Sequence, residues 1–528
     1  MKNLTRFTSF IALAVIIAFV FVSCNDLTEN VHDEVTEENF NPTAKDLPNI
    51  IAPIYSEFRF WMQCCDSFVS LEEGAGDGFI TPARPHGWGA DNLPFHYHQW
   101  SSNHEDVKAI YSQLYDIVNA SNRVLHQIES DIVPVPDENR ESLVAEIKVI
   151  RAFAYYQLMD NYGSVPIVTD FTAGEAPEQS TRQEVYDFVV QELTDNIPNL
   201  VESTNLIPSR ITRWAGLATL ARVYLNAEVY TGTPRYDEVI SVTDQIIDSG
   251  IFQLESNYKN NFTRDNQNSV EVIWSIPYDE VFAPENTMHM RSLAPEQQQQ
   301  FQMTGQPWGG SSATPQFIDV YDEEDKRLEQ TWFGGPQTNP EGDTVVTLTK
   351  NVPSMEENTY ANGYRIKKYE IYQNMQRGSD VDFPLFRYSM VLMMKAEALL
   401  RTGSPNQAAN IVTRVRERAF DDPSEAQVTG TELQMGSEFP YGYWENGQVV
   451  DTYGGYGGDD IENGRFLDEL AREFAWEGFR RQDLIRFGVF SRKSWFNKKP
   501  SDPCKQVFPI PLPALERNSN LEQHPCYQ

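Results

Sequence analysis

Leu470-Ala471-Arg472-Glu473-Phe474-Ala475-Trp476-Glu477-Gly478-Phe479-Arg480-Arg481-Gln482-Asp483-Leu484-Ile485-Arg486-Phe487-Gly488 mixes apolar and charged residues at helical spacing. Phe466, Leu470, Phe474 and Leu484 fall on one face at 3.6 residues per turn, which predicts a helix over residues 466–487 with that face buried. Asp468 stands four residues before Arg472, and Glu477 four before Arg481, the spacing of one-turn ion pairs. Such charges read as locks into a surrounding scaffold, so no ligand is assigned to them.

Helical patterning recurs upstream. Residues 43–62 and the chain from Glu105 onward are helix-like. In residues 138–162, Leu143, Ile147, Ile150, Phe153 and Leu158 form one buried stripe, and Gly163 stops the helix. Val165-Pro166-Ile167-Val168 reads as extended. Helices are expected over residues 182–201, 212–230 and 236–249, the last two separated by Thr231-Gly232-Thr233-Pro234. Ala215, Gly216, Ala218 and Ala221 permit close helix approach. Successive helix pairs of this kind build tetratricopeptide scaffolds, whose unit is about 34 residues, although no clean consensus repeats here. Helices resume at residues 388–402 and 406–419. Between them, residues 251–385 lose the helical period and read as a loop-rich, irregular insertion. Two further Gly- and aromatic-rich loops are expected at residues 67–102 and 436–464, and an extended tail at 500–528. The fold class is therefore mainly α: a tetratricopeptide-like helical repeat scaffold, residues 43–250 and 386–490, carrying the insertion.

The amino terminus has its own chemistry. Lys2 and Arg6 precede an apolar run from Phe10 to Val22, too short for a stable span and flanked as in a secretory signal. Phe21-Val22-Ser23-Cys24 resembles a bacterial lipobox, which implies acylation of Cys24 after removal of residues 1–23. At about 0.8 kcal/mol per buried methylene, several acyl chains anchor for practical purposes permanently. Residues 24–42 then form a polar, lipidated tether and residues 43–528 the body.

A net charge of −34, or −36 without residues 1–23, argues against nucleic acid and anionic lipid surfaces and suits a salty exterior. Aromatic residues reach 12% of the chain, and flat rings in polar loops offer stacking surfaces to sugars. Of the remaining cysteines, Cys64 and Cys65 are adjacent, while Cys504 and Cys526 are spaced to close the tail with a disulfide. Paired zinc spacing is missing, and no metal or cofactor is expected.

Several blocks accompany the opening stretch in a fixed order: Asn122-Arg123, Glu146, Ile150-Arg151-Ala152-Phe153-Ala154-Tyr155-Tyr156, Tyr162-Gly163-Ser164-Val165-Pro166, Ala221-Arg222-Val223-Tyr224, Phe386-Arg387-Tyr388, Met394-Lys395-Ala396-Glu397-Ala398 and Phe508-Pro509-Ile510-Pro511. Behind a lipobox, this series resembles the SusD/RagB family of nutrient-binding outer-membrane lipoproteins of Bacteroidetes across essentially the whole mature chain. Cys526 departs from the glycine more usual in that tail. The resemblance implies a SusD-like fold and a non-enzymatic role. It also implies an outer-membrane, exterior-facing location and a SusC-like TonB-dependent transporter as partner, to which a bound polysaccharide or oligosaccharide is delivered.

Candidate glycan contacts follow from loop context. Trp88, in Thr81-Pro82-Ala83-Arg84-Pro85-His86-Gly87-Trp88-Gly89, resembles the ring-bearing loop of some family members. Trp308 lies between glycines, in Gly305-Gln306-Pro307-Trp308-Gly309-Gly310. Asp77 and Arg84 offer hydrogen bonds to hydroxyls, and Arg84 also a pair with carboxylate or sulfate. Tyr278, Phe282, Trp332 and Tyr360 are further ring candidates, whereas Trp100 and Trp214 belong to the core. Other classes stay open. Glu473 and Glu477 have glycosidase-like spacing, His96 and His98 a metal-like one, and Asp459, Asp460 and Glu462 carry oxygen ligands for calcium. A non-binding scaffold subunit of the transporter is a further alternative.

Overall fold

The computed structural model of the chain describes residues 42–62, 68–85, 92–203 and 209–528. Its scaffold helices are α1 (Leu47–Met62), α2 (Glu105–Glu129), α3 (Asp137–Tyr162), α4 (Arg182–Asn196), α5 (Arg213–Leu225), α6 (Tyr236–Asp248), α7 (Tyr388–Arg401), α8 (Pro405–Arg416), α9 (Gly464–Phe474) and α10 (Arg480–Arg486). From α1 to α8 each helix packs on the one that follows it in sequence. This is the nearest-neighbour logic of a helical solenoid. Local signals set the helix ends. Thr181 and Glu184 form a reciprocal capping box at the start of α4, worth about 1 kcal/mol. Gly163 ends α3 at φ 75°, a conformation that glycine takes without steric cost. At Gly216 in α5 an added Cβ would stand 2.9 Å from Ile197 Cγ1, so close packing requires the glycine.

Helix α3 departs from the single buried stripe expected for it: every residue from Val149 to Tyr162 is buried. A helix enclosed on all sides is the centre of the molecule. Its apolar residues pack outward in several directions, with Phe153 edge-on to Trp61 and Trp274 at ring separations of 5.9 and 4.9 Å.

The insertion leaves the solenoid after α6 and returns at α7, which nonetheless pack together. Its neck is an antiparallel ribbon in which Val272–Ile276 pairs with Phe383–Arg387, Ile276 opposite Phe383 and Val272 opposite Arg387. Both strands are wholly buried. Beyond the neck, the insertion is short helices, short strand pairs and turns joined by irregular segments.

Two expectations are corrected. The helix predicted over residues 466–487 is two helices, because the chain turns sharply at Ala475–Phe479. There Trp476 takes φ 61° and Gly478 φ 84°. A Cβ on Gly478 would lie 2.7 Å from Phe68 Cε1, so the glycine admits a tertiary contact that a continuous helix would not make. Within the loop expected over residues 67–102, Phe68 to Pro82 thread the interior and are all buried, beginning with a short helix, Phe68–Glu72. The glycines of this stretch serve close approach, as at Gly78, whose Cβ would meet Phe317 at 2.7 Å.

Cys504 and Cys526 are disulfide-bonded, with Cα atoms 5.9 Å apart. The tail they close docks on α3 through the Phe508 amide, which donates to the Asn161 carbonyl at 2.7 Å. Cys24, Cys64 and Cys65 lie outside the described residues. No described helix is long and apolar enough to cross a membrane.

Candidate functional site

The charges of the opening stretch are almost all buried. The one-turn pairs expected from spacing do not form. Asp468 instead accepts from the Ser437 hydroxyl and, at 2.7 Å, from the Glu438 amide; Arg472 pairs with Glu469 at 3.1 Å. Glu477 takes Lys368 and Arg387, while Arg481 reaches Asp160 at 2.7 Å and Glu72 at 3.3 Å. Glu473 accepts from Arg387 at 2.7 Å, Arg418 at 2.5 Å and Arg327 at 3.0 Å. Burial alone would raise the Glu473 carboxyl, but Arg418, Arg387 and Arg327 together hold it well below the usual range. A permanently ionised carboxylate sealed among three guanidiniums has neither the proton nor the access that an acid–base pair for glycosidic cleavage needs. Glu473 and Glu477 therefore fasten the insertion, its neck and the turn after α8 to the end of α9 and the turn that follows it.

The sequence-predicted ligand contacts separate on burial. Asp77 is fully buried and held by Arg480 through bonds of 2.7 and 2.8 Å, with the Tyr441 hydroxyl donating at 3.1 Å. Trp332 is 3% exposed, packed edge-on against Phe317 and Trp476, and Tyr278 is buried with its amide donating to Asp382. Neither ring nor Asp77 is a surface contact, because each fills a gap between the insertion and the rest of the core. Phe282 is 88% exposed, at the tip of a turn fixed by Asp279, which accepts from the amides of Val281 and Phe282 at 2.8 and 2.7 Å. Trp88 lies outside the described residues.

The loops that carry Trp308 and Tyr360 come together. Trp308 is half-buried on a satellite cluster of Met290, Leu293, Phe301, Met303 and Met375, and its amide donates to the Met290 carbonyl at 2.7 Å. Gly309, at φ 68°, admits the Tyr360 ring: a Cβ there would lie 2.8 Å from Tyr360 Cδ1. Arg84 is not a surface contact either. It is 4% exposed and staples the two aromatic loops, donating to the carbonyls of Gly310 at 3.2 Å, Asn362 at 2.9 Å and Thr359. Arg365 repeats the device, donating to Ser311 at 2.8 Å, Gly309 at 3.3 Å and Tyr360 at 2.7 Å. Burial pulls the Arg84 guanidinium down to about 10; burial and then the neighbouring Arg84 lower that of Arg365. The outcome is a fixed shelf of two packed loops, one bearing Trp308 and the other Tyr360, with an exposed Arg377 guanidinium 5.3 Å from the Trp308 ring centre.

Of the side chains read as metal ligands, His98 and Asp460 have protein partners. His98 stacks on Phe490 at 4.1 Å and uses both ring nitrogens, toward Ser501 and Ala75. Burial pushes the His96 imidazole down to about 3. Asp460 is paired with Arg492 and Lys493. One feature of the 436–464 loop escaped the sequence reading. Tyr443–Glu445 and Gln448–Val450 form a hairpin beside an open groove of about 780 Å³, lined by Asp319, Lys350, Asn351, Trp444 and Gln448. Its signal was present in Asn446-Gly447, whose positive φ values of 53° and 80° suit a two-residue hairpin turn.

Known proteins share this architecture. The SusD family pattern matches residues 270–527, and a second one, described as starch-binding and associating with the outer membrane, matches residues 86–225. The chain belongs to the SusD-like family. The starch-binding protein SusD of Bacteroides thetaiotaomicron is 23% identical, the alignment covering 81% of this chain and 80% of that one. SusD-like protein P2 of Formosa agariphila is 23% identical over 96% of this chain and 97% of its own. Surface glycan-binding protein A from Bacteroides thetaiotaomicron, solved with laminarihexaose, superposes with a TM-score of 0.67 at 18% identity, covering 91% of this chain and 99% of that one. At that identity the superposition speaks to the SusD-like fold alone.

Proposed function

We propose that this SusD-like protein binds a polysaccharide or its oligosaccharide products on the Trp308–Tyr360 shelf. Anchored through acylated Cys24 at the outer face of the outer membrane, it hands the glycan to a SusC-like TonB-dependent transporter. The observation that carries the reading is the shelf itself. Two half-buried rings, their loops fixed by buried guanidiniums, lose little conformational freedom when a sugar stacks on them, and preorganisation of this kind favours binding. The starch-binding and glycan-binding relatives support the same ligand class. Phe282, at its exposed turn, is a further ring available to a long glycan.

The test is affinity electrophoresis through a panel of polysaccharides, comparing the native chain with Trp308→Ala and Tyr360→Ala. Loss of a stacked ring should weaken binding at least tenfold, about 1.4 kcal/mol. Equal retardation of all three proteins overturns the site. Co-purification with a barrel together with silence on every glycan would leave the scaffold role instead.

A further inference from the structure

We propose that the glycan taken by the Trp308 shelf is anionic, carrying carboxylate or sulfate groups, and that Arg377 is the side chain that meets them. This inference rests on reading the shelf as a glycan site.

The chain carries 76 acids against 42 bases, so its overall field is negative. Some surface cations are paired, as Arg264 with Asp380 and Lys350 with Asp319; Arg377, like the exposed Arg123, Arg414 and Arg517, is not. Arg377 is exposed, lies 5.3 Å from the Trp308 ring centre and forms no ion pair among the described residues. Lys367, whose ammonium stands 5.6 Å from the Phe333 ring on the same satellite cluster, also has no ion pair among them.

Positive charge continues beneath the shelf. Arg84 and Arg365 are satisfied by backbone carbonyls and, for Arg84, the Ser312 hydroxyl at 3.2 Å, with no ion pair to a described carboxylate. Glu296 acts on Arg365 only through space. Two buried guanidiniums, Arg365 offset in part by Glu296, thus add positive potential through a medium that screens it poorly. That local field opposes the overall charge of the chain. A neutral sugar would gain little from it; a carboxylate or sulfate would gain at long range and then bind Arg377 as a two-pronged, charge-assisted contact.

Position ties the charge to the ring. Arg377 already occupies the neighbourhood of the Trp308 π-face, so a saccharide that stacks there must lie against the guanidinium or push it onto its own substituents. Either way Arg377 touches the ligand. Losing a cation–π contact disfavours neutral glycans, and an anionic substituent offsets that loss.

The experiment uses the full chain in affinity gels containing polygalacturonate, its carboxyl-reduced form, a sulfated galactan, its desulfated form, and neutral glucans and mannans. Native protein, Arg377→Gln, Arg377→Lys and Trp308→Ala are compared at 50 and 300 mM salt. The expected result is retardation by an anionic polymer that disappears when the polymer is neutralised. Binding should weaken at least tenfold in Arg377→Gln, recover in part in Arg377→Lys, and fall with salt. The carboxylated and sulfated pairs tell which anion is preferred. Retardation by neutral polymers alone, lost in Trp308→Ala and unchanged in Arg377→Gln, overturns the inference and leaves the shelf reading standing. Anionic binding unaffected by Arg377→Gln also overturns it. Binding to none of the polymers removes both.

Discussion

Replacing Glu473 by Gln keeps the side chain's shape and removes its charge. In the native fold this carboxylate sits at 0% exposure and receives bonds from Arg387, Arg418 and Arg327 at 2.7, 2.5 and 3.0 Å. Glutamine still offers one oxygen, but its amide hydrogens then face cationic donors, and three guanidiniums share the charge of Glu271, Glu469, Glu477 and Asp325. Removing one member of a buried ionic cluster costs about 3–5 kcal/mol, because the partners remain desolvated. Glu202→Gln provides the control, since Glu202 is 61% exposed in its pair with Arg213 and should matter by no more than about 1 kcal/mol. The assay is urea unfolding at pH 7, followed by far-ultraviolet circular dichroism and tryptophan fluorescence. The Glu473→Gln midpoint should fall well below those of the native chain and Glu202→Gln, with the two probes agreeing. A loss of under about 1 kcal/mol would show that the cluster contributes no more than a surface ion pair and refute the fastening role.

Other outcomes follow from the same interior. Glu73 is buried, and burial raises its carboxyl to about 7 although the Gly478 amide donates to it at 2.7 Å. Because the folded value exceeds the unfolded one, its stabilising effect is complete below pH 4.5 and is lost as pH rises toward 7. Glu73→Gln should therefore gain on the native chain across that window, by up to about 3 kcal/mol in urea titrations at successive pH; parallel curves would contradict it. Gly478→Ala forces a side chain into φ 84° and onto Phe68, and should cost about 2–5 kcal/mol by the same unfolding assay. A neutral result would mean that Phe68 moves aside freely. Reducing the Cys504–Cys526 bond, which closes a 22-residue separation, should release about 3 kcal/mol and speed hydrogen exchange at the Phe508 amide, with Cys526→Ser matching the reduced protein. Unchanged exchange would show that the tail is held by packing alone.

Sequence by itself determined the solenoid. Apolar residues three and four apart, Gly163 at the end of α3 and Thr181 before α4 are local signals, and local signals place helices and their ends. The core rings Trp100 and Trp214 were legible for the same reason, each standing beside a helical pattern. Tertiary structure alone decided the rest. The break at Trp476–Gly478 depends on Phe68, some four hundred positions earlier, and the partners of Glu473 come from the insertion and from beside α8. Asp77, Arg84 and Trp332 carry surface chemistry in their side chains and are buried all the same, because the elements that cover them are distant in sequence. A spacing rule reports which groups share a face of one element. It does not report what another element lays over that face, and whether Trp308 is a shelf or a wedge depends on just that.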